Sequence, residues 1–445
     1  MKYRNKFSFL HEAHYTFFYG ILIIFIFLSC DTKTIRIETD DPINRTEYCS
    51  SDKEHSYEIY IPSDSKTCIQ LPQLIILDPH GDGRNALKLF IPAAEQYKFI
   101  LIASNRIKNN TPDFTSLIDE LKKDVRTKYP VNEQLVIAGF SGGARMAITY
   151  AQYNSVEGVI ACGALTAQEQ ISATNTLIYS VIGMADFNFV EAAQYLFRPD
   201  QTPDNLRIEF SSEMHKWPSS NELTRLIGYV YFEKEFDTKK CLDKKSLIKT
   251  YISDQLKRSG EFLSSDDYIQ AYLLMQNLAH VDVLNDSKEF KEIYNSANYD
   301  DQLNHQLNLL RESIRFELKV RDSYYKELAV KEINWWKNEI NILNDHILNE
   351  KNRYNVLAYK RIKAFLGIMC YSITNNALQH DDLNTAARLL PVYAYLEPEN
   401  PDMLYYYALY AKLTGNPKES HDYLQKAINA GFSDQSKIEE LTTGI

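Results

Sequence analysis

Ser141 lies in "LVIAGFSGGARMAITYA", residues 135–151, where an apolar run of strand type meets a Gly-x-Ser-x-Gly turn and continues with helical spacing. A serine on a sharp strand-to-helix turn has its hydroxyl pushed out above the sheet, where it can attack a carbonyl carbon. Side chains two positions either side of the serine would crowd the adjoining strand and helix. Gly139 and Gly143 supply that clearance, and Gly142 is expected to absorb the strained backbone just after the serine. A serine hydroxyl is a weak nucleophile at neutral pH, so it needs a base, and the base needs an acid to orient it. Both should hang from loops that follow strands. His215, in "SSEMHKWPSS", comes just after the apolar stretch "LRIEF", and Asp186 follows "TLIYSVIG" directly. Asp200 and Asp204, in "RPDQTPDN", are rivals to Asp186 but stand further from a strand end. The chemistry within reach of such a set is acyl transfer through a covalent serine intermediate.

The elements that must position these residues are legible as alternating patterns. "SYEIYIP", "QLIILDP", "FILIAS", "QLVIAG", "VEGVIACG", "TLIYSVIG" and "LRIEF" read as strands. "ALKLFIPAAEQY", "FTSLIDELKKDVRTKY", the stretch after Gly142 and "NELTRLIGYVYFE" read as helices. Strands separated by helices of this length imply βαβ units and a mostly parallel sheet, with functional residues at the carboxyl ends of the strands.

On these motifs the region from about 56 to 233 resembles an α/β-hydrolase. That family runs serine, acid, histidine along the chain, so His55 and His80, which precede Ser141, do not qualify as the base. His280, His305, His346, His380 and His421 lie in a later helical region, and His11 and His14 in the N-terminal segment, which leaves His215. "LDPHGDGRNA" resembles the His-Gly-x-Gly loop of esterases and lipases, here His80 to Gly83. The resemblance implies an oxyanion hole from the backbone N–H groups of Asp82 and Gly142, with the His80 side chain structural. "GFSGG" together with "HKWP" is similar to the secreted esterases related to feruloyl esterases and polyhydroxybutyrate depolymerases. The implied reaction is ester hydrolysis, with Ser141 as nucleophile, His215 moving the proton and Asp186 holding His215. No long lid insertion stands between the turn helix and Asp186, which leans towards an ester at the edge of a larger molecule such as an acylated polysaccharide.

The ends of the chain carry different signals. Lys2, Arg4 and Lys6 precede the apolar run "FFYGILIIFIFLS", which stops at Ser29-Cys30-Asp31. The run is short for a membrane span and suits a signal peptide core. It resembles a bacterial lipoprotein signal, which would make residues 1–30 the signal and Cys30 the lipid-bearing residue. An uncleaved membrane anchor is the other reading, and both place the rest outside the cytoplasm. Residues 31–50 look like a polar tether. Five cysteines remain, Cys49, Cys68, Cys162, Cys241 and Cys370. Either Cys49 and Cys68 pair across a hairpin or all five are unpaired thiols. No His-Glu-x-x-His or zinc-site spacing occurs, so neither a metal nor another cofactor is expected.

With 445 residues the chain is expected to hold two domains, an α/β-hydrolase domain at 51–235 and a helical domain at 240–445. In the second, apolar spacing is helical and strand signals are absent. Its last part is similar to tetratricopeptide repeats, with small residues at Ala387, Ala408 and Ala427 and a Gly-Asn turn at 415–416. It is either a generic helical domain packed on the hydrolase or a concave surface for a protein or peptide. The "YYYALY" stretch, Tyr405 to Tyr410, reads as packing between helices. A formal charge of −10 without a basic stripe argues against nucleic acid. Two function classes follow: a lipid-anchored extracytoplasmic serine esterase, with a serine peptidase as the neighbouring chemistry, or a surface interaction protein using the helices.

Overall fold

The computed structural model describes residues 41–442, apart from 67, 69, 235, 237–241, 282–287 and 299–300. The signal segment, Cys30, Cys241 and the first part of the expected tether lie outside the described residues. Apart from β1, α4 and α5, which the sequence pattern had not marked, the first half alternates as predicted: β1 (Ile43–Tyr48), β2 (Ser56–Ile61), β3 (Leu71–Leu77), α1 (Gly83–Tyr97), β4 (Ile100–Ser104), α2 (Phe114–Lys128), β5 (Val131–Phe140), α3 (Gly142–Ala151), β6 (Gly158–Cys162), α4 (Gln168–Ser172), β7 (Leu177–Gly183), α5 (Phe189–Ala193), β8 (Leu206–Ser211) and α6 (Ser220–Glu233). These strands form one eight-stranded sheet in the order β1-β2-β4-β3-β5-β6-β7-β8. β1 and β2 are antiparallel to their neighbours, and β4, β3, β5, β6, β7 and β8 run parallel. This is the mostly parallel sheet expected from the sequence.

The central strands are apolar on both faces because helices cover both. Ile75, Ile102 and Ile137 point to the layer holding α2 and α3, whereas Leu74, Leu101 and Val136 point to the layer holding α1 and α6. β1 lies inside the stretch read as a tether. Its charged residues hide a pairing that runs from Ile43 opposite Ile61 to Tyr48 opposite Ser56. Polar partners hold it, with Thr46 bonded to Glu58 and Tyr129 bonded to Glu47.

The second half is helical: α7 (Lys244–Ser264), α8 (Tyr268–Leu278), α9 (Lys288–Asn298), α10 (Asp301–Glu327), α11 (Ile333–Asn349), α12 (Arg353–Gln379), α13 (Leu383–Leu396), α14 (Pro401–Leu413), α15 (Pro417–Asn429) and α16 (Gln435–Thr442). It packs with the sheet region as one compact unit. β8 is an edge strand, and α8 covers it. Gln270 donates to the Phe210 carbonyl at 2.7 Å and Asn277 to the Ile208 carbonyl at 2.9 Å, which occupies two edge acceptors that would otherwise invite another strand. Buried Glu209 of β8 pairs with Arg225 of α6 and with Arg258 of α7 at 2.8 Å. The last helices have their own apolar core around Trp336, Leu366, Tyr393 and Tyr406. Ala408 and Ala427 are fully buried, but Ala387 is exposed and its neighbour Ala386 takes the packing position. Tyr405 stacks on Phe432 and Tyr407 on Tyr423, so this aromatic stretch is used in helix packing. Among the described residues no helix is long and apolar enough to cross a membrane.

Cysteine pairing differs from both expectations. Cys49 is a free, buried thiol, whereas Cys68 is in a disulfide, so the two are not bonded to each other and not all five are unpaired. Cys49 directly follows β1 and lies near Glu120 of α2. Burial pushes its thiol up to about 12, and the Asp124 and Glu120 charges add to this.

Asp124 anchors the β1–β2 hairpin to α2. It accepts from the Ser50 N–H at 2.9 Å, the Ser50 hydroxyl at 2.7 Å and the Tyr57 hydroxyl at 2.7 Å, and pairs with Lys128 at 2.7 Å. Burial pushes the carboxyl up, but these donors outweigh it and bring it down to about 2. A carboxyl depressed on folding adds stability above its unfolded range near pH 4, and that contribution disappears as pH falls towards 2. Asp124→Asn is therefore expected to lower the unfolding free energy at pH 7 by about 1–2 kcal/mol. In denaturant titrations the gap between the two proteins should close between pH 4 and pH 2; a gap independent of pH contradicts this assignment.

Candidate active site

The turn after β5 carries the serine in a strained conformation. Ser141 has φ 52° and ψ −115°, an unfavourable region for a residue with a Cβ. The strain sits on the serine itself and not on Gly142, as the sequence had suggested. It persists because the surroundings allow no alternative. A Cβ on Gly139 would strike the carbonyl of Gly143, and a Cβ on Gly143 would strike the carbonyl of Leu77 at the end of β3. The Ser141 N–H donates to the Cys162 carbonyl at 2.8 Å, which ties the turn to the end of β6. At Gly142 the Asn109 carboxamide lies where a Cβ would go, so a larger residue there would have to displace that side chain.

Two loops bring the partners. β7 ends at Gly183, and the turn Gly183–Phe189 carries Asp186, which is completely buried. Its Oδ1 accepts from the Asn188 N–H at 2.8 Å, and its Oδ2 lies 2.8 Å from His215 Nδ1. An ionised carboxylate only accepts, so Nδ1 carries the proton and Nε2 is left with its lone pair. His215 Nε2 lies 3.0 Å from Ser141 Oγ. The structure thus joins Asp186, His215 and Ser141 in series, while Asp200 and Asp204 are exposed elsewhere. Phe187 and Phe140 pack on the imidazole with centroid distances of 4.2 and 4.7 Å and restrict its rotation.

Asp78 was not singled out from the sequence. It follows β3 and is almost buried. Its Oδ1 accepts from the His80 N–H at 2.8 Å and the Asp82 N–H at 3.3 Å, and its Oδ2 accepts from Trp217 Nε1 at 2.9 Å. One carboxylate therefore fixes the loop of His80 to Gly83 against the loop that carries His215. An acid directly after an apolar strand run is the signal that could have found it. Asp82 also caps α1 through Asn85. Its N–H bond to Asp78 is long, whereas Gly142 opens α3 directly beside Ser141. His80 is exposed.

Among the described residues, one group has metal-ligand chemistry: Cys49, His55 and Glu120, with ligand atoms within 4.8 Å of one another. It lies at the β1–β2 hairpin. His55 Nδ1 faces Glu120 at 3.0 Å and Nε2 faces Ser104 at 3.2 Å, so protein partners already take both ring nitrogens.

No family model and no curated protein matches the chain. Among solved structures it is similar to a tributyrin phosphonate-inhibited esterase B from Lactobacillus rhamnosis, at 12% identity and TM-score 0.33 over 44% of this chain and 88% of that one. It is also similar to Est1E from Butyrivibrio proteoclasticus, at 11% identity and TM-score 0.33 over 44% and 98%. A third is an α/β serine hydrolase without lid from Xanthomonas campestris, at 13% identity and TM-score 0.33 over 44% and 95%.

The contact between Gly143 and Leu77 predicts a cost for one methyl group. Gly143→Ala must separate α3 from β3 and is expected to lose about 1–3 kcal/mol of stability in denaturant unfolding. A variant as stable as the parent would show that the close approach is not required.

Proposed function

We propose that this chain is a serine hydrolase of carboxylic esters, carried outside the cytoplasm on a lipid anchor at Cys30. The observation that carries the catalytic reading is the hydrogen-bonded series from Asp186 through His215 to Ser141, at 2.8 and 3.0 Å. In this reading Ser141 Oγ attacks the ester carbonyl carbon while His215 Nε2 takes the hydroxyl proton. The tetrahedral oxyanion lies at the Gly142 and Asp82 N–H groups, the latter giving up its long 3.3 Å bond to Asp78. Collapse breaks the bond to the alcohol oxygen, which leaves with the proton from His215. Water then repeats the cycle, giving its proton to His215 and its oxygen to the acyl carbon, and Ser141 is released. Asp186 stays ionised throughout and stabilises the imidazolium.

The basic, apolar N-terminus ending at Ser29-Cys30 supports the anchored location. Besides the strand β6, the five-residue α4 is the one helix between α3 and β7, which supports a rim open to an ester on a larger molecule, such as an acylated polysaccharide. Met214, directly before His215, is 63% exposed and offers an apolar contact at that rim. In the second half, the tetratricopeptide-like spacing supports helix pairs as the organising unit.

A panel of p-nitrophenyl esters beside peptide anilides tests the chemistry. The protein is expected to turn over short acyl esters and to leave anilides largely untouched, since an amine leaving group demands fuller protonation by His215. Ser141→Ala should lower kcat by about 10⁴-fold or more, and Asp186→Asn by about 10³–10⁴-fold. Ester turnover that survives Ser141→Ala rejects the assignment.

A further inference from the structure

The turn that carries Asp186 is held partly by the second half of the chain. Its own backbone bonds use the carbonyls of Gly183, which accepts from the Asp186 N–H at 3.0 Å, and of Asp186, which accepts from the Phe189 N–H at 2.9 Å. The carbonyls of Met184 and Phe187, two residues before the acid and one after it, point to the helical region. Arg361 of α12 donates through Nη1 to the Met184 carbonyl at 2.7 Å. Arg321 of α10 donates through Nη1 to the Phe187 carbonyl at 2.9 Å. Both guanidinium groups converge on Glu317 of α10. Arg361 Nε donates to its Oε2 at 2.7 Å, Arg361 Nη2 lies 2.5 Å from the same oxygen, and Arg321 pairs with Oε1. Glu317 and Arg361 are fully buried and Arg321 is 7% exposed. The Arg361 guanidinium also packs on the Phe189 ring at 4.6 Å, at the far end of the turn.

Burying two cations and one anion is costly, and well-packed apolar side chains would fill the same space at least as stably. What an apolar replacement cannot do is donate in two fixed directions. Arg361 presents a planar fork whose arms are set by Glu317 on one side and by Met184 on the other. The carboxylate of Glu317 orients both arginines, and the arginines hold the turn from two sides of Asp186.

We propose that Glu317, Arg321 and Arg361 form a clamp through which the helical region positions Asp186 for its bond to His215. These are positioning residues, because none touches Ser141 or His215. The inference deepens the hydrolase reading and rests on it for its kinetic consequence, but the geometric consequence stands apart from activity. The helical region is then a working part of the site, and α10 and α12 cannot be removed without loosening the acid.

The test uses the full-length protein with Arg361→Met and Arg361→Lys. In Arg361→Met, Glu317 keeps Arg321 as its partner, so no buried charge is orphaned. Lysine retains the charge but cannot span Glu317 and Met184 with a rigid fork. Three readouts are compared: thermal melting, kcat and KM on p-nitrophenyl acetate, and the low-field proton resonance of His215 Nδ1–H, identified by its loss in Asp186→Ala. Displacing a reacting group by about 1 Å costs up to about 10²-fold in rate. The expectation is a folded Arg361→Met protein with kcat lowered by about tenfold or more, KM within about twofold, and a weakened low-field resonance. Arg361→Lys should fall between it and the parent. If Arg361→Met does not fold, Arg361→Lys is judged by the same two site readouts. A folded variant with parental kcat and an unchanged resonance overturns the clamp. A parent protein with no ester turnover, but a resonance that depends on Arg361, rejects the hydrolase reading and leaves the clamp standing.

Discussion

The site depends on one steric constraint, the approach of the Ser141 turn to the ends of β3 and β6. There is no room for a methyl group between Gly139 and Gly143 or between Gly143 and Leu77. The chain can leave β5 and enter α3 there only with a positive φ, and it is Ser141 that takes it. Conformational strain of about 1–3 kcal/mol persists only where neighbours over-determine the backbone. Here the packed sheet does so, and the result is a hydroxyl raised above the carboxyl edge of the sheet. A looser strand-to-helix connection would relax and bury it.

The partners are held by carboxylates acting at a distance from the Ser141 oxygen. Asp186 spends one oxygen on its own turn and the other on His215. Asp78 does the same for the opposite rim, joining the His80 loop to Trp217. Phe140 belongs to both sides, since its ring meets His215 and Trp217. The loops around Ser141 are therefore cross-linked by short charge-assisted bonds and aromatic packing. Such bonds are stronger away from water than at an exposed surface. On the far side, the turn bearing Asp186 rests on the arginines of α10 and α12.

How much of this was legible depended on whether the signal was local. The strand-turn-helix around Ser141 is contiguous, so its apolar run, glycines and helical spacing are all readable in one stretch. Asp186 was found because it closely follows an apolar run, where a parallel sheet places its ligands, and His215 because it follows the last such run and comes after Ser141 in the chain order that the resemblance implies. β1 was missed because its stability comes from cross-strand partners such as Glu58 and Tyr129, which leave no apolar alternation in "INRTEY". Ala387 was placed one residue out of phase, because helical spacing alone does not separate adjacent alanines. The pairing of Cys68 could not be read, since sequence carries no distance between cysteines. Glu317 and Arg361 are 44 residues apart on surface-like helices, and nothing local marks them as buried.

The central claim is that Ser141 is an activated nucleophile rather than a hydroxyl in a tight turn. The direct measurement is tandem mass spectrometry of the native protein after exposure to a fluorophosphonate. The account predicts a single phosphonyl adduct on the peptide bearing Ser141, formed in the folded protein and absent after denaturation before exposure. An unmodified Ser141 peptide, or adducts scattered over other hydroxyls at the same rate, would contradict it.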